Sequence, residues 1–184
     1  MSDSPMQPIV LWSKEVRNYQ CQPVAEFDDR AKTLVEQMKK TMNYMDGKGI
    51  AAPQIGVFKQ AAIAVLERRT LTMFNPQIIS GKGDTIDWEA CLSLPGCSSR
   101  PNYNQIPNRA RVHRLAIIET RYQDVNGKVI EEQFSGEFAR IIQHEIDHLS
   151  GVFFIDRCGP IFRDVVIRNL SNYIEFLEHM PQPV

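Results

Sequence analysis

The sequence predicts an α+β fold, with mostly antiparallel β-sheets packed around a central helix and a further helix near each end. Three observations predict it. Apolar residues recur at helical spacing in three separate segments, around residues 31–45, 138–149 and 162–177. Between the first and second, short runs of β-branched and aromatic residues alternate with turn residues. The element order is therefore helix, strands, helix, helix.

Residues 1–26 read as an extended arm with short β pieces. Asp28 or Asp29 can cap the first helix, whose apolar stripe is Ala31, Leu34, Val35, Met38, Met42 and Met45, and Gly47 is a suitable stop. The methionines read as core packing. Strands are expected over 60–66, 74–79 and 115–122, and Asn126-Gly127 before Val129 signals a hairpin. Residues 98–108, with two prolines and three asparagines, read as a surface loop. The second helix starts at Ser135 or Gly136, buries Phe138, Ile141, Ile142, Ile146 and Leu149, and ends by Gly151. The third runs from Pro160 to about His179 on an apolar side of Phe162, Val165, Val166, Leu170, Tyr173, Ile174 and Leu177.

The 184 residues suffice for one domain, read as a single catalytic domain over 1–184. A net charge of -1 gives no sign of a specific nucleic-acid partner. Cys21, Cys91, Cys97 and Cys158 are irregularly spaced, as expected of reduced thiols in a cytoplasmic protein. Met1 to Val10 lacks the pattern of a signal or transit peptide, and no apolar run approaches the ~20 residues that cross a bilayer, so no membrane partner is expected.

The chemistry concentrates on the second helix. His144-Glu145-Ile146-Asp147-His148 is an HExxH sequence. Residues four apart on a helix lie about 40° apart around the axis, so both imidazoles can grip one metal ion while Glu145 reaches its water. The pattern is short, and a helix with two surface histidines would also produce it. A catalytic site of this type takes three protein ligands. The peptidase pattern HExxHxxGxxH is followed as far as Gly151, but Phe154 stands where a third histidine would be. The remaining ligand must come from the cysteines and acids upstream.

Three segments carry a resemblance: residues 47–56 (GKGIAAPQIG), residues 89–93 (EACLS) and residues 143–151 (QHEIDHLSG). In that order they resemble the three motifs of peptide deformylases, over about Phe27 to Asp156. The resemblance implies a metal site of Cys91, His144 and His148 with Glu145 as acid/base. It implies hydrolytic removal of the formyl group from N-terminal formylmethionine of nascent polypeptides, releasing formate. The cofactor it implies is one divalent ion, Fe2+ in the cell, with Zn2+, Ni2+ or Co2+ as substitutes. A thiolate and two imidazoles agree with iron or zinc rather than magnesium or calcium. Glu145 would pass a proton from the attacking water to the leaving amine, a role worth ~10²–10⁴-fold. By the same resemblance, the Leu92 N–H and the Gln54 amide receive the charge developing on the formyl oxygen. Lys48, Gly49 and Ile50 would bind the peptide like an added strand, opposite the Ala90 carbonyl, with Glu137 and Ile141 lining the first side chain's pocket. Arg114 would buttress the metal loop by binding Glu89.

The chain departs from the family at several places. Ala90 replaces a glycine, Lys48 stands where a small apolar residue is common, and Glu137 stands where a bulky apolar one is. Arg140, one turn on, is placed to pair with Glu137. Arg109, Arg111, His113 and Arg114 form a positive run that reads as solvated surface. The third helix mixes Arg163 and Arg168 with Asp164, Glu175 and Glu178, so its charge does not favour the transient ribosome contact known in the family. The rival readings are a deformylase-like hydrolase with altered preference, an HExxH metallopeptidase, a thiol hydrolase using Cys91, and a metal-bearing binding protein.

Overall fold

The computed structural model describes residues 5–13, 17, 19–94 and 108–178. The expected loop over 98–108 lies outside these residues except for Asn108, which is buried; Cys97 and His179 also lie outside them.

Helix α1 spans Asp29–Tyr44. Its cap is Asp28, whose carboxylate accepts from the N–H groups of Arg30 at 2.9 Å and Ala31 at 3.2 Å. That satisfies two of the donors every helix start leaves unpaired. Ala31, Leu34, Val35, Met38 and Met42 turn inward as the spacing requires. The helix stops three residues before Gly47; Asp46 takes the left-handed conformation, and the Gly47 N–H closes the end on the Met42 carbonyl.

Among the described residues there are five strands: β1 (Gly49–Ala51), β2 (Ala61–Leu66), β3 (Arg69–Ala90), β4 (Arg109–Gln123) and β5 (Val129–Ser135). They form a single antiparallel sheet in the order β1-β2-β3-β4-β5. β1 is thus an edge strand, paired to β2 with Ile50 opposite Ile63. The Asn126-Gly127 turn joins β4 to β5, with the Asp124 carboxylate accepting from the Asn126 and Lys128 N–H groups and Gly127 at φ +80°. β3 and β4 are far longer than their expected cores, because a second stretch, exposed along most of its β3 half, pairs Gly81–Ala90 with residues 109–118.

The alternation along β2 explains how the sheet is covered. Ala61 and Ile63 pack with Leu34, Val35, Met38 and Phe74 beneath α1. Ala62 and Ala64 face the other way, against Phe138, Ala139 and Ile142 of helix α2 (Gly136–His148). Strand residues alternate in direction, so a continuous apolar run here means burial on both faces. The alanines keep α2 close to the strand.

Helix α3 spans Pro160–Glu178. Its expected apolar side is only partly used. Val166 and Leu170 pack with Leu94, Val112, Phe153 and Phe154, whereas Phe162, Val165 and Ile174 are exposed. Periodicity identifies an apolar face but does not supply a surface to cover it.

Candidate metal centre

Two chain segments meet at this centre. The end of β3 delivers Glu89 and Ala90 and leads directly to Cys91; α2 delivers His144, Glu145 and His148. One ligand atom from each of Cys91, His144 and His148 lies within 4.8 Å of the others. Cys91 Sγ is 3.3 Å from His148 Nε2, and the two imidazoles stand 4.8 Å apart at 87°. All three residues are buried. Phe154, at the position where a third histidine would stand in the peptidase pattern, is buried and stacks against His144 at 6.3 Å, while Phe153 abuts His148 at 4.7 Å.

His144 is oriented from behind. Its Nδ1 meets Glu89 Oε2 at 2.9 Å. Glu89 is gripped by Arg114, with Nε on Oε1 and Nη2 on Oε2, both at 2.8 Å. Arg114 is buried, so the reading of residues 109–114 as a solvated positive run is corrected at that position. Ala110, Val112 and Arg114 share one face of β4, and that face is buried. Arg114 also reaches Asp147, which Arg157 binds from the surface side. Arg140 does not pair with Glu137, as helical spacing had implied. It bonds Glu89 Oε1 at 2.9 Å and the Val112 and Thr85 carbonyls at 2.8 and 3.2 Å. Glu137 instead meets Lys48 across the cleft at 2.5 Å. Gln143, unassigned by the sequence, pairs with both backbone groups of Leu115 and ties α2 to β4.

Burial alone would raise the Glu89 carboxyl, but hydrogen bonds and charge from Arg114 and His144 outweigh it and hold Glu89 well below the usual range. Burial would likewise lower His144; its contacts with Cys91 and Glu89 outweigh this and raise it. For His148, burial and the neighbouring His144 and Arg114 act together and lower it. Glu145 is pushed up to about 7, chiefly by burial. Its Oε2 is buried and meets no hydrogen-bond partner among the described residues. A buried thiol, two imidazoles and an orphaned carboxylate oxygen beside them fit a divalent ion with soft and borderline donors.

Gln54 sits on a one-turn 3-10 helix, Ala52–Ile55. Its Oε1 accepts from the Ala51 N–H at 2.8 Å, which turns its amide nitrogen toward Ser93 Oγ and Cys91 Sγ, at 3.3 and 3.5 Å. The centre opens into a cleft of about 610 Å³. Lys48, Gly49, Ala90, Leu92, Glu137 and Ile141 are among its walls. Ile50 is fully buried in the core instead, so its side chain does not line the cleft. Gly49 has a second reason to be glycine: a Cβ there would stand 2.4 Å from Glu145 Oε1.

The sequence model of the Polypeptide deformylase family matches residues 6–163. The chain belongs to the polypeptide deformylase family. This deformylase is 33% identical over 167 residues to a peptide deformylase of Thermotoga sp. (strain RQ2), covering 91% of this chain and 96% of that one. It is 39% identical over 134 residues to a peptide deformylase of Alkaliphilus metalliredigens, covering 73% and 84%. A crystal structure of a peptide deformylase from Legionella pneumophila superposes with a TM-score of 0.84 at 29% identity, over 96% of this chain and 100% of that chain. With the family comes the function: hydrolytic removal of the formyl group from nascent polypeptides. The metallopeptidase and altered-preference alternatives are not favoured. Deformylases depend on a metal, and Cys91, His144 and His148 form a potential binding group for one. No described helix is long and apolar enough to cross a membrane.

Proposed function

We propose that this deformylase, one catalytic domain acting in the cytoplasm, holds a single divalent ion on Cys91, His144 and His148 and uses Glu145 to move the proton during hydrolysis of formylmethionyl N-termini. The observation that carries the reading is the convergence of three ligand atoms within 4.8 Å beside a buried Glu145 oxygen that has no partner among the described residues. When bound, such an ion supplies Lewis-acid polarisation and acidifies water at the site. Fe2+ is the proposed ion in the cell, with Zn2+, Ni2+ or Co2+ able to substitute; the thiol and imidazole donors suit this group.

Glu145, raised to about 7, is suited both to take a proton from water and to return it to the departing amine. Gln54, its amide held by the Ala51 N–H, donates from Nε2 toward the formyl oxygen, together with the Leu92 backbone N–H. The peptide lies along the outer edge of β1 at Lys48, Gly49 and Ile50, with Ala90 across the cleft; the Lys48 carbonyl already accepts from the Val65 N–H, which leaves Gly49 to offer its backbone groups outward. Ile141 and the Lys48–Glu137 pair bound the pocket beside it. Glu89 and Arg114 keep His144 oriented. Arg163 and Arg168 of the third helix are interspersed with Asp164 and Glu175, a charge pattern that does not favour a ribosome contact.

The test is anaerobic purification, metal analysis and formate release from formyl-Met peptides with different second residues. One ion per chain and formate release that a chelator abolishes and Fe2+ or Zn2+ restores are expected. A fully metal-loaded chain that releases no formate, or release indifferent to the chelator, overturns the reading.

A further inference from the structure

We infer that Arg140 is a positioning residue for the reaction, acting on His144 through Glu89. The inference rests on the proposed role of His144 as a metal ligand. A carboxylate offers about four lone-pair sites. At Glu89 four donors occupy them, two on each oxygen: Arg114 Nε and Arg140 Nη1 on Oε1, Arg114 Nη2 and His144 Nδ1 on Oε2. Arg114 alone makes a flat fork that leaves one site on Oε1 open. Arg140 fills it from α2, the helix that carries His144 one turn later. Its other bonds, to the Val112 and Thr85 carbonyls, anchor that guanidinium to both long strands.

The consequence is mechanical. A carboxylate with every site filled cannot rotate without breaking a bond, so the plane of the His144 ring is fixed. Arg140 lines the cleft wall. It is buried, and both donors of its Nη1 are spent on Glu89 Oε1 and the Val112 carbonyl, so the part assigned to it is to hold Glu89.

The test is a double-mutant cycle read by zinc affinity, with Zn2+ titrated against a chelating dye. Arg140→Met, which keeps the stem, is expected to weaken zinc by about tenfold, the low end for loss of a group behind a metal ligand. In a Glu89→Gln background the same change is expected to cost less than about twofold, because its route to His144 is already broken. On formyl-Met peptide, kcat falls while KM stays within about twofold. Equal losses in both backgrounds overturn the inference, since Arg140 would then act through the strand carbonyls alone. Zinc affinity unchanged in the wild-type background, or a rise confined to KM, also overturns it. Where Arg140→Met does not fold, Arg140→Lys carries the same cycle: it keeps the cation but cannot hold Glu89 and Val112 with one fork. Wild type that binds no zinc sinks the metal-site reading itself, whereas normal zinc binding by Arg140→Met sinks only the role of Arg140.

Discussion

Helices α2 and α3 present similar apolar stripes in sequence and have opposite surroundings in the fold. α2 is pressed against the sheet, and besides its apolar face it buries Arg140, Gln143, His144, Glu145 and His148. α3 buries Val166 and Leu170 and leaves Ile161, Phe162, Val165 and Ile174 exposed. A buried polar side chain is costly unless its partners are in place. On α2 they are in place for Arg140, Gln143 and His144, mostly from β3 and β4, whereas Glu145 Oε2 and His148 Nδ1 meet none among the described residues. The difference separates two kinds of burial. Around α3 apolar area is what matters. Around α2, a chain of paired charges runs from Arg157 through Asp147, Arg114 and Glu89 to His144.

Substitutions at the two helices sharpen that contrast. The largest effect is expected at Glu145. Glu145→Gln keeps shape and metal content but removes the group that accepts the proton, so kcat should fall by ~10²–10⁴ with little change in melting temperature. Formate-release kinetics and metal analysis on one preparation check this. A kcat within a few-fold of wild type would leave α2 as a metal-holding helix with no proton-transfer role.

The next effect is on stability. Arg114→Met strips Glu89 of its bidentate partner inside the protein and leaves Asp147 with Arg157 alone. Breaking a buried pair from one side costs about 3–5 kcal/mol, and urea unfolding of the metal-loaded protein measures it. This network was only partly legible beforehand. Arg114 sits in a run of basic residues, and its burial follows from alternation with Ala110 and Val112. Helical spacing points Arg140 at Glu137 because it compares residues within one helix, whereas its partner lies 51 positions earlier on β3. Nothing in local pattern brings Cys91 to the histidines either; only the resemblance did. The β3–β4 extension was missed for a different reason. Residues 81–90 are nearly all exposed, so no apolar alternation marks them as strand. Where burial follows the helical period, as along the stripe of α1 behind its Asp28 cap, sequence and structure agree within a residue or two.

Gly49→Ala tests how closely β1 and α2 are fitted. The new methyl would overlap Glu145 Oε1 at 2.4 Å, and the flexible carboxylate must yield rather than the backbone. Stability should therefore change little, while displacement of the acid/base lowers kcat by about 10²-fold. A fall in melting temperature with kcat preserved would mean that the strand moves and the carboxylate stays.

The smallest effects belong to α3, and they are informative as a pair. Leu170→Ala removes a side chain 3% exposed among Leu94, Val112 and Phe153, and should cost about 2–3 kcal/mol. Phe162→Ser, one helical face away, removes a larger side chain that is 43% exposed and touches Trp88 edge-on. It should cost no more than about 0.5 kcal/mol, because little area returns to water and no buried partner is orphaned. Urea midpoints of the two variants measured side by side decide the matter. If Phe162→Ser proves as costly as Leu170→Ala, the outer face of α3 is covered in solution. The contrast with α2 would then lie only in the polarity of what each helix buries, and no longer in how much of its apolar face is enclosed.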